Sequence, residues 1–457
     1  MLAAVRAHGV LSQAEIARIT GLSPASVSNI VHQLADADAV ELSPGIRGGR
    51  RAQEVRVRSD GGLVVGLDFG HRHIRVAVSD LRFVVRAERR VECDVGASAL
   101  SALAVAEKLV GELLDEIGTT KCGIRAVGLG LPAPMGPDGG TLAAWPILPS
   151  WSTIDPARHL AERLGAPVYA DNDANLGARG ELYFGAGRGV SDLAYIKAAT
   201  GLGAGLVVAG NVYRGFAGSA GEIGHLTIDE MGPVCSCGNR GCLETMVGAP
   251  YLLELIRYSH PDVRTVEQLV TCALSGDGGC QRVVADAGRH IGFVAANLCN
   301  VVNPERVVVG GDLAAAGDLL LEPLRSAMPR YAVVTVASTP VVAALTGERA
   351  EVLGALVLAV EQFQRRHDQN DGADAADDDR GREQSASEHS GRERQGSEQL
   401  GREHAGGSAA GASSRGGSAG APGSRAEAGL ANGRLSAVGD PAPDLGAAGR
   451  NLLGGPA

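Results

Sequence analysis

The sequence predicts an α/β protein of two lobes, preceded by a small helix-turn-helix module and followed by a tail without a core. Three observations lead there. Residues 1–60 hold two short capped helices and a strand pair. Residues 61–366 hold three consecutive strands, a helix and then alternating strands and helices, a series repeated with variation. From residue 367 to 457 the apolar periodicity is gone. The chain has 457 residues, 45% of them hydrophobic, which suffices for two or three domains and a large core. A formal net charge of −10 argues against nucleic acid coating the whole surface, but one small domain could still bind it. There is no signal peptide and no apolar run of about 18 residues, so a soluble cytoplasmic protein with no membrane partner is expected.

In the first module, Ser12-Gln13-Ala14-Glu15 reads as a capping box opening a helix that runs to about Thr20, where Gly21 ends it. Ser23-Pro24 gives an N-cap followed by Pro at the first helical position. Val27, Ile30, Val31 and Leu34 then recur at helical spacing. Two helices joined by a short turn containing Gly are the helix-turn-helix signature. The exposed face of the second helix offers Ser26, Ser28, Asn29, His32 and Gln33 to base edges or phosphates. Residues 39–42 and 54–57 read as hairpin strands. Their connector, residues 45–51, is a flexible tip carrying Arg47, Arg50 and Arg51, as a wing entering a minor groove or clamping phosphates requires. Seven Arg face six acids through Asp60, so the module is nearly neutral, and a solvated loop in a protein-interaction domain is the competing reading. The Arg cluster on one loop favours double-stranded DNA. Few residues precede Gly9, so the helix expected ahead of this pair is a stub or is truncated.

The middle of the chain opens on an apolar strand, residues 63–67, that ends in Asp68-Phe69-Gly70. Strands over 74–79 and 83–91, a helix over 98–117 and a strand over 125–131 follow. After a helix over 156–164, a strand over 167–170 ends at Asp171-Asn172-Asp173-Ala174-Asn175. Alone, that ending is a turn with Asn175 or Asp173 capping the helix that continues to about Tyr183. Strands over 192–197 and 203–209 are joined by Ala199-Thr200-Gly201-Leu202. A helix over 282–299, a strand over 306–309 and a last helix over 349–364 complete the series.

One His and three Cys are clustered between these strands and the late helix: His225, Cys235, Cys237 and Cys242. Gly238 and Gly241 allow the turns that let the three sulfurs converge, and the His completes a Cys3His set, the closed pattern of structural zinc. Buried free thiols are the plainer alternative. The other five cysteines, Cys93, Cys122, Cys272, Cys280 and Cys299, are scattered and read as reduced core residues. Glu222 and Glu244 bracket the cluster, so a metal there would pin two carboxylates near one place.

Taken in order, the winged helix, the Asp-x-Gly strand, Asn172-Asp173-x-Asn175, Thr200-Gly201-x-Gly203, Glu222-x-Gly224-His225 and Cys235-x-Cys237-Gly238-x-x-Gly241-Cys242-Leu243-Glu244 resemble the ROK family (repressors, open reading frames and sugar kinases). The likeness spans residues 1–366, and the winged helix resembles the family's transcriptional-regulator branch. It implies an actin-like, ribonuclease-H-like double lobe with a sugar in the cleft, a sugar-controlled repressor and a homodimer or homotetramer. It also implies that Asn172, Asp173, Glu222, His225 and Glu244 contact sugar hydroxyls, with His225 serving both metal and sugar.

In the family's kinases the residue matching Asp173 is the general base, so Asp173 is the catalytic candidate if this chain is a kinase. Those kinases hold phosphate with Asp-x-Gly-Gly-Thr-Lys. Here the stretch reads Asp68-Phe69-Gly70-His71-Arg72-His73, with bulky side chains where backbone should approach phosphate. The expectation is therefore a sugar sensor without kinase activity, with an ATP-dependent sugar kinase bearing a DNA-binding module as the alternative. In the tail, Gly-Arg-Glu recurs at 381, 391 and 401, and nothing there could bury enough surface to offset ordering entropy.

Overall fold

The computed structural model describes residues 1, 4–5, 9–36, 40–47, 50–57, 62–136 and 149–366. The tail expected to be disordered lies outside the described residues.

In the first module the helices are α1 (Gln13–Thr20) and α2 (Pro24–Asp36). The capping box forms as read: Ser12 Oγ accepts from Glu15 N at 3.3 Å and Glu15 Oε2 accepts from Ser12 N at 2.8 Å. Gly21 ends α1 at φ 70°, a left-handed conformation that favours glycine. Ser23 Oγ caps α2 by accepting from Ser26 N at 3.1 Å. Ile16, Val27, Val31, Val40 and Val55 are buried together as this module's core.

The strand pair differs from the expectation. β1 (Val10–Ser12) is a third strand, and the ladder between β2 (Val40–Arg47) and β3 (Arg50–Val57) continues to Arg47↔Arg50. Arg47, Arg50 and Arg51 therefore stand on the hairpin arms and not on a loop. Continued backbone pairing keeps the arms extended through Gly45. Gly48 and Gly49 lie outside the described residues. The sheet order is β1-β3-β2.

The body contains two five-stranded sheets of the same topology. The first, in spatial order β6-β5-β4-β7-β8, comprises β4 (Leu63–Phe69), β5 (His73–Asp80), β6 (Val85–Glu92), β7 (Ile124–Leu131) and β8 (Val168–Asn172). The second, in order β11-β10-β9-β12-β13, comprises β9 (Leu193–Ala198), β10 (Leu202–Val208), β11 (Asn211–Tyr213), β12 (Arg306–Gly310) and β13 (Val341–Ala343). In each, a three-stranded antiparallel meander comes first and two parallel strands extend its first strand on the other side. Helices α3 (Ala99–Glu116) and α4 (Pro156–Leu164) cover the first sheet. Helices α6 (Glu244–Val247), α7 (Ala249–Ile256), α8 (Val266–Leu274), α9 (Gly278–Val302) and α10 (Asp318–Ala327) belong to the second core.

The remaining two helices change places. Helix α5 (Asp173–Phe184) follows the first sheet but packs Ala178 with Leu193, Tyr195 and Val207 of the second. Helix α11 (residues 350–366) follows the second sheet but buries Val352, Leu356, Ala359 and Val360 against Val64, Ala77 and Ala126 of the first. The two helices cross, with Leu176, Ala355 and Leu358 between them. A Cβ on Gly354 would lie 1.9 Å from the Leu176 carbonyl oxygen, and one on Gly180 would lie 2.1 Å from that of Ala350, so glycine is what permits the crossing. Glu361 of α11 accepts from Tyr183 Oη at 2.8 Å and pairs with Arg179, both on α5.

Candidate functional site

The cleft between the sheets is a cavity of about 820 Å³, which accommodates a small polar molecule. Its walls begin at corresponding hairpin turns: β4–β5 in the first lobe and β9–β10 in the second. Asn172, Asp173, Glu222, His225 and Glu244, all expected from the sequence, line this one cavity.

Asn172 also has a local task. Its Oδ1 caps α5, accepting from Ala174 N at 2.9 Å and Asn175 N at 3.3 Å, and its Nδ2 donates to Ala133 O at 3.2 Å. The cap is thus Asn172, not Asn175 or Asp173, because β8 runs on through Asn172 and α5 starts one residue later. Among the described residues the other amide hydrogen of Asn172 has no partner, which leaves it for a ligand. Asn175 is buried, with its Nδ2 donating to Asp171 Oδ1 at 3.0 Å.

The three carboxylates converge with few cations among them. Burial, together with the charges of Asp173 and Glu244, pushes the Glu222 carboxyl up to about 7. Glu222 can therefore hold a proton near neutral pH and donate it to a hydroxyl. Glu244 opens α6, and its Oε2 accepts from Leu202 N at 3.4 Å. The stretch that begins at Cys235 is in this way bound to the β9–β10 turn.

Lys197 was missed in the sequence. Its Nζ lies 2.9 Å from Asp173 Oδ2 and 3.2 Å from Glu351 Oε1. Burial works against its charge, but Asp173 and Glu351 outweigh that and hold the ammonium well above the usual lysine range. One oxygen of Asp173 is thus engaged by a buried ammonium. The available signal was a lone Lys inside an apolar strand, in a chain with only Lys108, Lys121 and Lys197.

In the β4–β5 turn, His73 Nε2 lies 3.1 Å from Asp68 Oδ2, and a Cβ on Gly70 would meet the His73 ring at 2.3 Å. Burial pushes the Asp68 carboxyl up, but the His73 hydrogen bond and the Lys197 charge outweigh it and hold it below the usual range. Asp68 Oδ1 is buried with no hydrogen-bond partner among the described residues. Burial also pushes the His71 imidazole down, favouring its neutral form. The β9–β10 turn is different: it closes two antiparallel strands through Thr200 and Gly201, and both residues line the cavity.

Behind that turn, His225, Cys235, Cys237 and Cys242 bring their donor atoms within 4.8 Å of one another. Cys237 Sγ and Cys242 Sγ are 3.7 Å apart, and Cys235 Sγ is 3.5 Å from His225 Nδ1. A tetrahedral zinc with bonds of about 2.3 Å to sulfur and about 2.0 Å to nitrogen requires edges of about 3.8 and about 3.5 Å. The donor set therefore fits that ion. Gly238 at φ 91° and Gly241 at φ 63° make the turns, as expected, and a Cβ on Gly241 would fall 1.5 Å from Asp229 O. The other nitrogen of His225, Nε2, faces Glu222 Oε2 at 3.9 Å, so one imidazole links the sulfur cluster to the cleft.

On α2, Ser26, Asn29, His32 and Gln33 are exposed, while Ser28 is half-buried and offers less than the sequence suggested. The side chains of Arg47, Arg50 and Arg51 lie outside the described residues.

These features define a class: two-lobed, actin-like α/β proteins whose cleft is backed by a Cys3His cluster, here joined to a winged helix-turn-helix. Residues 64–362 match the ROK family and residues 1–51 the MarR family. The chain is 30% identical over 370 residues to the xylose repressor of Caldicellulosiruptor bescii, an alignment covering 78% of this chain and 92% of that protein. A ROK family glucokinase from Streptomyces griseus, solved with glucose and AMPPNP, superposes with a TM-score of 0.59 at 27% identity, covering 66% of this chain and 100% of its own. A ROK family transcriptional regulator described as a homologue of the E. coli MLC protein gives a TM-score of 0.64 at 22% identity, over 77% of this chain and 92% of its own, a likeness of fold. The chain belongs to the ROK family, which includes both regulators and kinases.

Proposed function

We propose that this chain is a transcriptional repressor whose operator affinity is set by a sugar or sugar phosphate in the cleft, acting on genes of sugar uptake or catabolism. The observation behind this reading is a MarR-type helix-turn-helix on a ROK body whose first phosphate turn is filled by His71 and by His73 clasping Asp68. Similarity to a xylose repressor over most of both chains supports it. In this reading residues 1–60 bind DNA, residues 61–366 bind the effector and residues 367–457 form a tail. The protein acts in the cytoplasm as a homodimer or homotetramer.

Asp173, Glu222, His225 and Glu244, with the free amide hydrogen of Asn172, grip vicinal hydroxyls, a donor set that discriminates against molecules lacking them. His225, Cys235, Cys237 and Cys242 hold a structural zinc that fixes the loop carrying Glu244. Ser26, Asn29, His32 and Gln33, with a lesser part for Ser28, read the major groove, while Arg47, Arg50 and Arg51 reach phosphates or the minor groove. Half-sites lie about one helical turn apart or at multiples of it.

Anisotropy titration of labelled operator with and without sugar tests the reading, and affinity that no sugar of a broad panel alters would defeat it. Arg50→Ala with Arg51→Ala is expected to weaken binding and to lower the salt slope by about 2 per half-site, since each phosphate contact contributes about 0.9. A kinase remains the second reading, because the β9–β10 turn is open and Asp173 lines the cleft. Steady ADP release with ATP and an aldose in a coupled assay would establish it, and background rates support the sensor.

A further inference from the structure

A second group of metal-type donors lies away from the cleft carboxylates. His260, Cys272, Asp277 and Cys280 bring one donor atom each within 4.8 Å of one another. They come from three elements: His260 from the turn after α7, Cys272 from α8, and Asp277 and Cys280 from the start of α9. The sequence reading had put both cysteines among scattered core thiols.

The hydrogen bonds around the group decide what it can hold. Ser259 Oγ donates to Ile256 O at 3.2 Å, so its oxygen is left to accept from His260 Nδ1 at 2.9 Å. That contact puts the imidazole proton on Nδ1 and turns the lone pair of Nε2 inward. Nε2 then faces Asp277 Oδ2 at 3.2 Å, one acceptor against another. A cation between the two would satisfy both. Asp277 Oδ1 is already engaged, accepting from Cys280 N at 2.8 Å as the cap of α9, so Oδ2 is the oxygen left for a cation. A Cβ on Gly279 would lie 3.1 Å from Asp277 Oδ1 and 3.8 Å from His260 Cε1, so glycine keeps that side clear. Two thiols, one imidazole and one carboxylate are the soft-to-borderline donors that tetrahedral zinc takes.

We propose that His260 Nε2, Cys272 Sγ, Asp277 Oδ2 and Cys280 Sγ form a second zinc site. Two thiol protons leave to solvent when the ion binds, and two thiolates with one carboxylate leave the filled site with a single negative charge. The ion clamps α8 to the start of α9. Val266, Val270 and Thr271 of α8 line the cleft, so the site stiffens one wall of the effector cavity from behind.

Full-length protein, purified in zinc and freed of loosely bound metal by gel filtration, is expected to carry two zinc ions per chain by elemental analysis. The double variant His260→Gln with Asp277→Asn is expected to carry one, with its fold kept because Asn also caps helices. Cobalt added in place of zinc is expected to give four-coordinate ligand-field bands, with the sulfur charge-transfer intensity falling from five thiolates to three in that variant. One zinc per chain in the parent protein that persists in the double variant, or two in the double variant, would overturn the proposal. So would a Cys272–Cys280 disulfide found by mass spectrometry in freshly isolated protein. A single zinc that is lost in the double variant but retained in Cys237→Ser would keep this site and reject the Cys3His one.

Discussion

The two lobes share a strand order but treat their first hairpin turn in opposite ways. In the first lobe the β4–β5 turn is filled from within: His73 takes the space beside Gly70 and holds Asp68, while the half-buried His71 lines the cleft. In the second lobe the β9–β10 turn is open at Thr200 and Gly201 and is supported from behind by Glu244 and the cysteine loop. Side chains that occupy a turn exclude a ligand's phosphate from its backbone, whereas a turn braced from outside stays available. A duplicated fold can thus leave one turn of a matched pair open to the cleft while filling the other from within.

The largest predicted effect comes from removing the outside brace. Cys237→Ser should lower stability by about 4 kcal/mol and the Tm by on the order of 10 °C. Calorimetry with and without chelator checks this, and a Tm insensitive to both would show that the second turn stands without metal. Next, Glu222→Ala should weaken the sugar found by thermal-shift screening about 100-fold, or about 2.7 kcal/mol, with operator affinity unchanged. Titration calorimetry reads the first quantity and anisotropy the second, and equal loss of both would mean that the change damaged the fold.

In the first lobe, His73→Ala leaves Asp68 buried and unpaired. Because His73 is 24% exposed, the cost should be about 2 kcal/mol in urea unfolding, below that of a fully buried pair. The smallest effect should come from reopening the turn with His71→Gly, Arg72→Thr and His73→Lys together. A gain of about tenfold in ATP affinity, or about 1.4 kcal/mol, is expected from fluorescent-nucleotide titration. No gain would mean that the first turn is not what keeps nucleotide out.

Local chemistry made much of this legible. The Ser12–Glu15 box, the Pro24 helix start, the main strands of both sheets and the cysteine loop are written in short-range spacing, and the family resemblance assembled the cleft carboxylates. What the sequence hid depends on distant partners. β1 is three residues long and is defined by its ladder to β3, forty-odd residues later. The role of Lys197 exists because Asp173 arrives from α5 and Glu351 from α11. Asn172 was read for the sugar alone, although it also ends a strand and caps a helix, because a one-residue shift in that boundary decides which side chain meets the free N–H groups. Cys272 and Cys280 have no motif spacing of their own and gain meaning from His260.

The exchange of α5 and α11 between lobes also sets an order of events during synthesis. The first sheet is complete by Asn172, yet Val64, Ala77 and Ala126 have their apolar cover only when Val352, Leu356 and Val360 have been made. A ribosome extending the chain at about 5–20 residues per second leaves that face without its own cover for on the order of ten seconds or more. Nascent chains stalled before residue 350 should therefore recruit hydrophobic-binding chaperones, and the last helix closes the half of the body that was made first.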